Sequence, residues 1–223
     1  MAQTDPEPLD GPRVQPKHGG APARLVVFLH GVGADGQDLI QLAPMLQDVL
    51  PDAAFVSPHA PDPFDFAPAG RQWFSFKDDS PGAIDREVQR VTPRIDRSLD
   101  DELARTGLTP DKLAVVGFSQ GGIVALQSVL RRTNPIGALV GLSTILPNAQ
   151  SLPGEIASKP PVLLVHGDQD QVLPATYAEQ SAQALSGFGV PVDKHILRGR
   201  GHEIDQEGLG LIRDFLARHM SEG

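Results

Sequence analysis

The fold turns on residues 113–124, Leu113-Ala114-Val115-Val116-Gly117-Phe118-Ser119-Gln120-Gly121-Gly122-Ile123-Val124. Leu113 to Val116 is a short, unbroken apolar run ending at Gly117, as in a strand covered on both faces. From Gly121 to Arg132 the chain is apolar nearly all round and stops before Asn134-Pro135, as a buried helix does. Between the two stands Gly117-Phe118-Ser119-Gln120-Gly121, a G-x-S-x-G motif in the strand–turn–helix context it requires. So tight a turn forces its serine into a strained backbone conformation. Glycines two positions before and after it leave space where side chains would collide. Ser119 Oγ is then raised at the end of a strand, near the positive N-terminus of the next helix, where a developing anion is favoured. A structural Gly-rich turn is the plain alternative; the flanking strand and helix favour a nucleophile.

The same rhythm extends outward. Leu25–Leu29, Ala53–Val56, Ala138–Leu142 and Val162–Val165 are short apolar runs, and Lys194–Leu197 is a weaker one. Helical patterns fall between them. Ile84, Val88, Val91, Ile95, Leu99 and Leu103 share one face of a helix that Pro93 is expected to kink. Leu39, Leu42, Leu46, Val49 and Leu50 repeat the pattern around Pro44, and residues 174–186 and 203–219 supply two more helices. Strands alternating with helices predict an α/β fold, a mostly parallel central sheet with helices on both faces. In such sheets ligands bind beyond the carboxyl ends of the strands, so chemistry is sought in the punctuation after each run.

A serine nucleophile needs a base, and the base needs an orienting acid. In this arrangement they follow the serine in the order acid, then histidine. His166-Gly167-Asp168-Gln169-Asp170 follows the fifth run, and Gly201-His202-Glu203 follows the sixth. His202, at a loop-to-helix junction, is the expected base. Asp170 is the favoured acid because Gln171-Val172-Leu173-Pro174 after it re-enters packed structure; Asp168 is expected to cap the turn. His30-Gly31-Val32-Gly33 after the first strong run is a Gly-rich loop whose amides can approach a substrate oxygen. The expected oxyanion donors are the Val32 and Gln120 amides. Residues 58–79 form a long Pro-rich loop with the only tryptophan, Trp73, and four phenylalanines including Phe74. Trp73, Phe74 and Leu173 are the candidate substrate contacts, although a satellite core beneath the loop would use such aromatics equally well. His18, His59, His166, His195 and His219 have no ligand-like spacing and read as structural or exposed.

Composition narrows the remaining classes. The chain has 223 residues, no cysteine and a formal charge of −9. Disulfides, Cys-rich metal sites and thiol nucleophiles are excluded, and a broad electrostatic grip on nucleic acid or anionic membrane is disfavoured. No apolar run approaches the ~18 residues of a membrane-spanning helix, and the acidic, Pro-broken start is unlike a secretory signal. Cytoplasm is the expected address. Residues 1–23 read as an irregular arm with room for a short edge strand, and residues 24–223 as one domain.

Taken together, Leu29-His30-Gly31-Val32-Gly33-Ala34-Asp35, Arg71-Gln72-Trp73-Phe74, Gly117-Phe118-Ser119-Gln120-Gly121-Gly122, His166-Gly167-Asp168-Gln169-Asp170 and Gly201-His202-Glu203-Ile204 make the chain resemble the phospholipase/carboxylesterase family of small α/β-hydrolases, which includes the acyl-protein thioesterases. The resemblance implies Ser119, Asp170 and His202 as a triad, Val32 and Gln120 as oxyanion donors, and Trp73 beside the site. It implies an α/β-hydrolase fold without a large cap domain and a serine carboxylesterase acting on small-molecule esters of small to medium acyl chain, with an acyl-protein thioesterase or lysophospholipase as the alternative within the class and a catalytically inactive hydrolase-fold binding protein outside it. No cofactor and no metal are expected, and the charge and hydropathy above argue against a nucleic acid partner or stable membrane insertion. Apolar loops near the site leave room for a homodimer. One departure stands at Ser143-Thr144-Ile145-Leu146-Pro147, where the family commonly has glycine in place of Thr144; the larger side chain is expected to narrow or reshape the pocket.

Overall fold

The computed structural model describes residues 9–78, 80 and 82–221. Its strands are β1 (Arg13–Val14), β2 (Arg24–Leu29), β3 (Ala53–Val56), β4 (Asp62–Pro63), β5 (Arg71–Gln72), β6 (Leu113–Phe118), β7 (Ala138–Leu142), β8 (Val162–Gly167) and β9 (Val192–Leu197). Its α-helices are α1 (Gly36–Leu39), α2 (Ala43–Leu46), α3 (Ala83–Thr106), α4 (Gln120–Val129), α5 (Leu152–Glu155), α6 (Thr176–Gly187) and α7 (Gln206–Met220). Seven strands form one sheet in the order β1-β3-β2-β6-β7-β8-β9, with β1 antiparallel to β3 and every other pair parallel. This is the α/β-hydrolase fold.

The unbroken apolar runs become the inner strands because both faces of the sheet are covered. Every residue of β2, β7 and β8 is buried. On one face Leu25, Val27, Val115 and Leu164 pack with Val88, Val91, Ile95 and Leu99 of α3 and with Val124 and Leu185. On the other, Val26, Phe28, Val116 and Val140 pack with Leu39, Leu46, Ile212, Phe215 and Leu216. Alternate residues of each strand thus feed the two cores, as the pleat requires.

The expected helix around Leu39–Leu50 is divided. α1 and α2 are joined by a 3-10 turn, and Pro44 sits in the first turn of α2, where its missing N–H leaves no bond unmade. At Pro93 the outcome is opposite. α3 runs through it as one helix, because Pro93 and Gln89 lie on the solvent side, where the unbonded carbonyl can meet water. Ile84, read as inward-facing, is exposed at the start of α3. The long loop 58–79 contains the β4–β5 ribbon. Within the arm, residues 13–14 form the edge strand β1, while residues 1–8 lie outside the described residues.

Candidate active site

β6 delivers Ser119 to the centre of the sheet's carboxyl edge, flanked by β2 and β7. Its backbone has φ 52° and ψ −120°, a strained conformation for a residue with a side chain. The turn closes through amides: Ser119 N–H donates to Leu142 O at 2.9 Å, and Ser119 O accepts from Gly122 N–H at 2.9 Å and Ile123 N–H at 3.1 Å. Gly121 is required here because a Cβ on it would strike the backbone oxygens of Leu29 and His30. Its absence lets the elbow lie against the β2 loop, and a Cβ built on Gly31 would sit 3.5 Å from Ser119 Cβ.

β8 ends at Gly167, and the turn after it carries Asp170. Asp170 Oδ1 accepts from the amides of Val172 and Leu173, each at 2.8 Å, and Oδ2 lies 2.7 Å from His202 Nδ1. The carboxyl group has no solvent-exposed surface. Burial acts to raise its pKa, but the Leu173 amide, the His202 imidazole and the Val172 amide together outweigh burial and hold it below the usual carboxylate range. Asp168 is engaged elsewhere, accepting from the Gly199 amide at 2.6 Å. The two acids are thereby separated: Asp170 meets the histidine, and Asp168 caps the turn before it.

His202 is 18% exposed in its side chain. With Nδ1 taken by Asp170, Nε2 has no hydrogen-bond partner among the described residues. Its ring lies against Phe118, centroids 4.9 Å apart, beside the serine. No hydrogen bond joins Ser119 Oγ to His202 among the described residues; in unliganded hydrolases this bond is often long and tightens when substrate binds.

The loop after β2 is braced from behind. His30 Nδ1 lies 2.7 Å from Gly31 O, and His30 Nε2 accepts from the Ala60 amide at 3.0 Å. The ring therefore carries its proton on Nδ1, and burial pushes its pKa down. In a trans peptide the carbonyl and the following N–H point in opposite directions. Holding Gly31 O toward the ring thus turns the Val32 N–H away from it. Neither the Val32 nor the Gln120 amide has an acceptor among the described residues. Two free N–H groups therefore flank the elbow.

Trp73 and Phe74 present no surface to solvent. Trp73 Nε1–H donates to His30 O at 2.7 Å, and the Gln120 side chain clasps the same segment, accepting from Trp73 N–H and donating to Phe74 O, each at 2.8 Å. The Trp73 and Phe74 rings lie in the core behind the β2 loop and the elbow, as the satellite-core alternative expects, and present no surface to a substrate. Leu173 is partly exposed beside Asp170, and its neighbour Val172 is 65% exposed. Thr144 packs against the elbow itself. Its side chain is buried beneath the elbow, donating from Oγ1 to Ser119 O at 2.9 Å.

Sequence reasoning passed over the Gln120 side chain, which acts through its amide, and His166, which lies buried against Asp170. A signal existed: β2 is followed by His-Gly and β8 ends in His-Gly, placing a buried polar ring at the carboxyl end of each apolar run.

The model of the phospholipase/carboxylesterase family matches residues 9–220. The chain belongs to the phospholipase/carboxylesterase family. Family relatives include acyl-protein thioesterase 1 of Gibberella zeae, 27% identical over 87% of this chain and 90% of that one. A probable carboxylesterase of Oryza sativa is 30% identical over 89% of each chain. Among solved structures, that of esterase PE8 superposes with a TM-score of 0.91 at 40% identity, covering 96% of this chain and all of that one. The chain has no helix among its described residues long and apolar enough to cross a membrane.

Proposed function

We propose that the protein is a serine carboxylesterase that hydrolyses small-molecule esters of small to medium acyl chain through an acyl-enzyme. The observation that carries this reading is the pairing of a buried Asp170 carboxylate with His202 Nδ1 beside a strained, glycine-flanked serine. Ser119 Oγ attacks the ester carbonyl as His202 Nε2 takes its proton. Asp170 keeps the imidazole in the tautomer that leaves Nε2 free and stabilises the imidazolium. The tetrahedral oxyanion accepts from the Val32 and Gln120 amides, each such donor lowering the barrier by roughly 3–4 kcal/mol. The imidazolium then protonates the leaving alcohol. Water, deprotonated by the same nitrogen, attacks the acyl-enzyme, and the carboxylic acid departs as Ser119 regains its proton.

Among the described residues the β3–α3 and β7–β8 connections hold only loops, the β4–β5 ribbon and the four-residue α5, with no inserted cap domain. That openness favours small or accessible esters. It also suits a lipid thioester presented by another protein, the second reading, which the thioesterase names among the relatives support. A panel of p-nitrophenyl esters from acetyl to palmitoyl, set against a palmitoyl thioester peptide, separates the two. The first reading expects kcat/KM to peak at short to medium oxygen esters; a peak at the thioester peptide would replace it with the second. Ser119→Ala should abolish both activities while the far-UV spectrum is unchanged.

A further inference from the structure

His166 is a fully buried histidine that the chemistry above does not use. It is the penultimate residue of β8, four positions before Asp170. Its Nε2 lies 2.7 Å from Leu173 O and 3.2 Å from Asp170 Oδ2. Both neighbours are acceptors, so Nε2 carries the hydrogen and donates it to Leu173 O, with Asp170 Oδ2 facing the same N–H at 3.2 Å. Its Nδ1 is buried without a partner among the described residues. A ring spending its only used nitrogen on one turn, with the other left unbonded, is held there for that contact.

We propose that His166 is a positioning residue for the triad acid. The inference rests on the reading of Ser119, Asp170 and His202 given above. A carboxylate offers about four acceptor positions. Val172 N–H and Leu173 N–H fill those of Oδ1; His202 Nδ1 and His166 Nε2 meet at Oδ2. Three hydrogen bonds and the His166 ring against Oδ2 leave the carboxylate little room to rotate away from His202. The same Nε2–H ties down Leu173 O, while the Leu173 amide holds Oδ1. His166 therefore fixes both the acid and the turn that presents it. His202 Nδ1 then finds Oδ2 already aimed, so less reorganisation is needed when the imidazolium forms.

The test compares four proteins: wild type, His166→Gln, His166→Asn and His166→Leu. Glutamine places an N–H donor close to where Nε2 lies; asparagine places one near Nδ1, out of reach of Leu173 O; leucine supplies none. With p-nitrophenyl butyrate, Leu and Asn are expected to lose about 10- to 100-fold in kcat, the range for removing one hydrogen bond to a charged group. KM should stay within about two-fold, and Gln should recover most of the loss. The far-downfield proton of His202 Nδ1–H in the NMR spectrum should persist in Gln and broaden or move upfield in Asn and Leu. If Leu does not fold, the Gln–Asn pair decides. Equal kcat and an unchanged downfield line in Gln and Asn would overturn the proposal. Ser119→Ala separates the two failures: residual turnover in that variant overturns the serine mechanism, whereas a dead Ser119→Ala with indifferent His166 variants overturns only the positioning role.

Discussion

Thr144 and Gly122 fill one space, and their coupling can be worked out. A Cβ built on Gly122 would lie 2.6 Å from Thr144 Oγ1, 2.7 Å from its Cβ and 2.8 Å from its Cγ2, and these are its three nearest atoms. Carbon atoms rest at about 3.5–4.0 Å, so Gly122→Ala must displace the threonine by about 1 Å. Thr144 is buried and tied by Oγ1 to Ser119 O, so it has little freedom to yield. Overpacking of this kind costs about 1–3 kcal/mol. In a Thr144→Gly background the obstacle is gone, and alanine in the helix is favoured over glycine by about 0.5–1 kcal/mol. Gly122→Ala should therefore reverse sign, destabilising the wild type and stabilising Thr144→Gly, with a coupling of about 1–3 kcal/mol, the overpacking term alone, since the helix preference is common to both backgrounds. Urea unfolding of the four proteins measures it. The wild-type background should also show slower acylation by a phosphonate, since the strain falls on the carbonyl of Ser119. An equal cost of Gly122→Ala in both backgrounds would refute the packing argument and the assignment of Thr144 to the underside of the elbow.

Three further outcomes follow from the site. Asp170→Asn should lower kcat by about 10⁴-fold, because an amide cannot keep His202 in the productive tautomer, whereas Asp168→Asn should change it only a few-fold; stopped-flow ester hydrolysis distinguishes them. Gln120→Leu should leave Trp73 N–H and Phe74 O without partners, destabilising the fold by about 2–4 kcal/mol in denaturant titration; a loss below about 1 kcal/mol would mean the clasp is not formed. The pKa of His30 is depressed in the folded state, so the unfolded chain binds the extra proton first. Stability from this group is present above about pH 6.5, falls as pH drops below it, and is fully lost only below the depressed folded value. His30→Asn, which keeps a donor near Nδ1 and cannot titrate, should flatten the slope of unfolding free energy against pH between about 6.5 and 5; an unchanged slope would contradict the buried, uncharged ring.

Much of this was legible in residues 113–124 and in the punctuation after each apolar run. Inner strands betray themselves because burial on both faces leaves few polar positions, only Arg24 in β2 and His166 in β8, and the elbow because only glycine tolerates its approaches. The separation of Asp168 from Asp170 was legible as well, since a residue just before a packed stretch is held more firmly than one in mid-turn. Side-chain direction was not. Thr144 occupies a position at the pocket's edge in sequence, yet points beneath the elbow because its hydroxyl finds the carbonyl of Ser119 there. Trp73 and Phe74 lie in a loop at the site, but their burial and the Gln120 clasp depend on contacts 46 and 47 residues apart that no local pattern encodes. His166 has no ligand-like spacing in the sequence, and its place beside Asp170 arises only when the turn after β8 folds back on the strand.

The central claim is that Ser119 alone becomes a nucleophile. The most direct measurement is the intact mass of the protein after reaction with a fluorophosphonate, followed by peptide mapping. One adduct per chain, on Ser119, with complete loss of ester hydrolysis and no labelling of His202→Ala on the same timescale, is the result expected. A fully labelled Ser119 with turnover intact, or inactivation with the adduct on another residue, would contradict it.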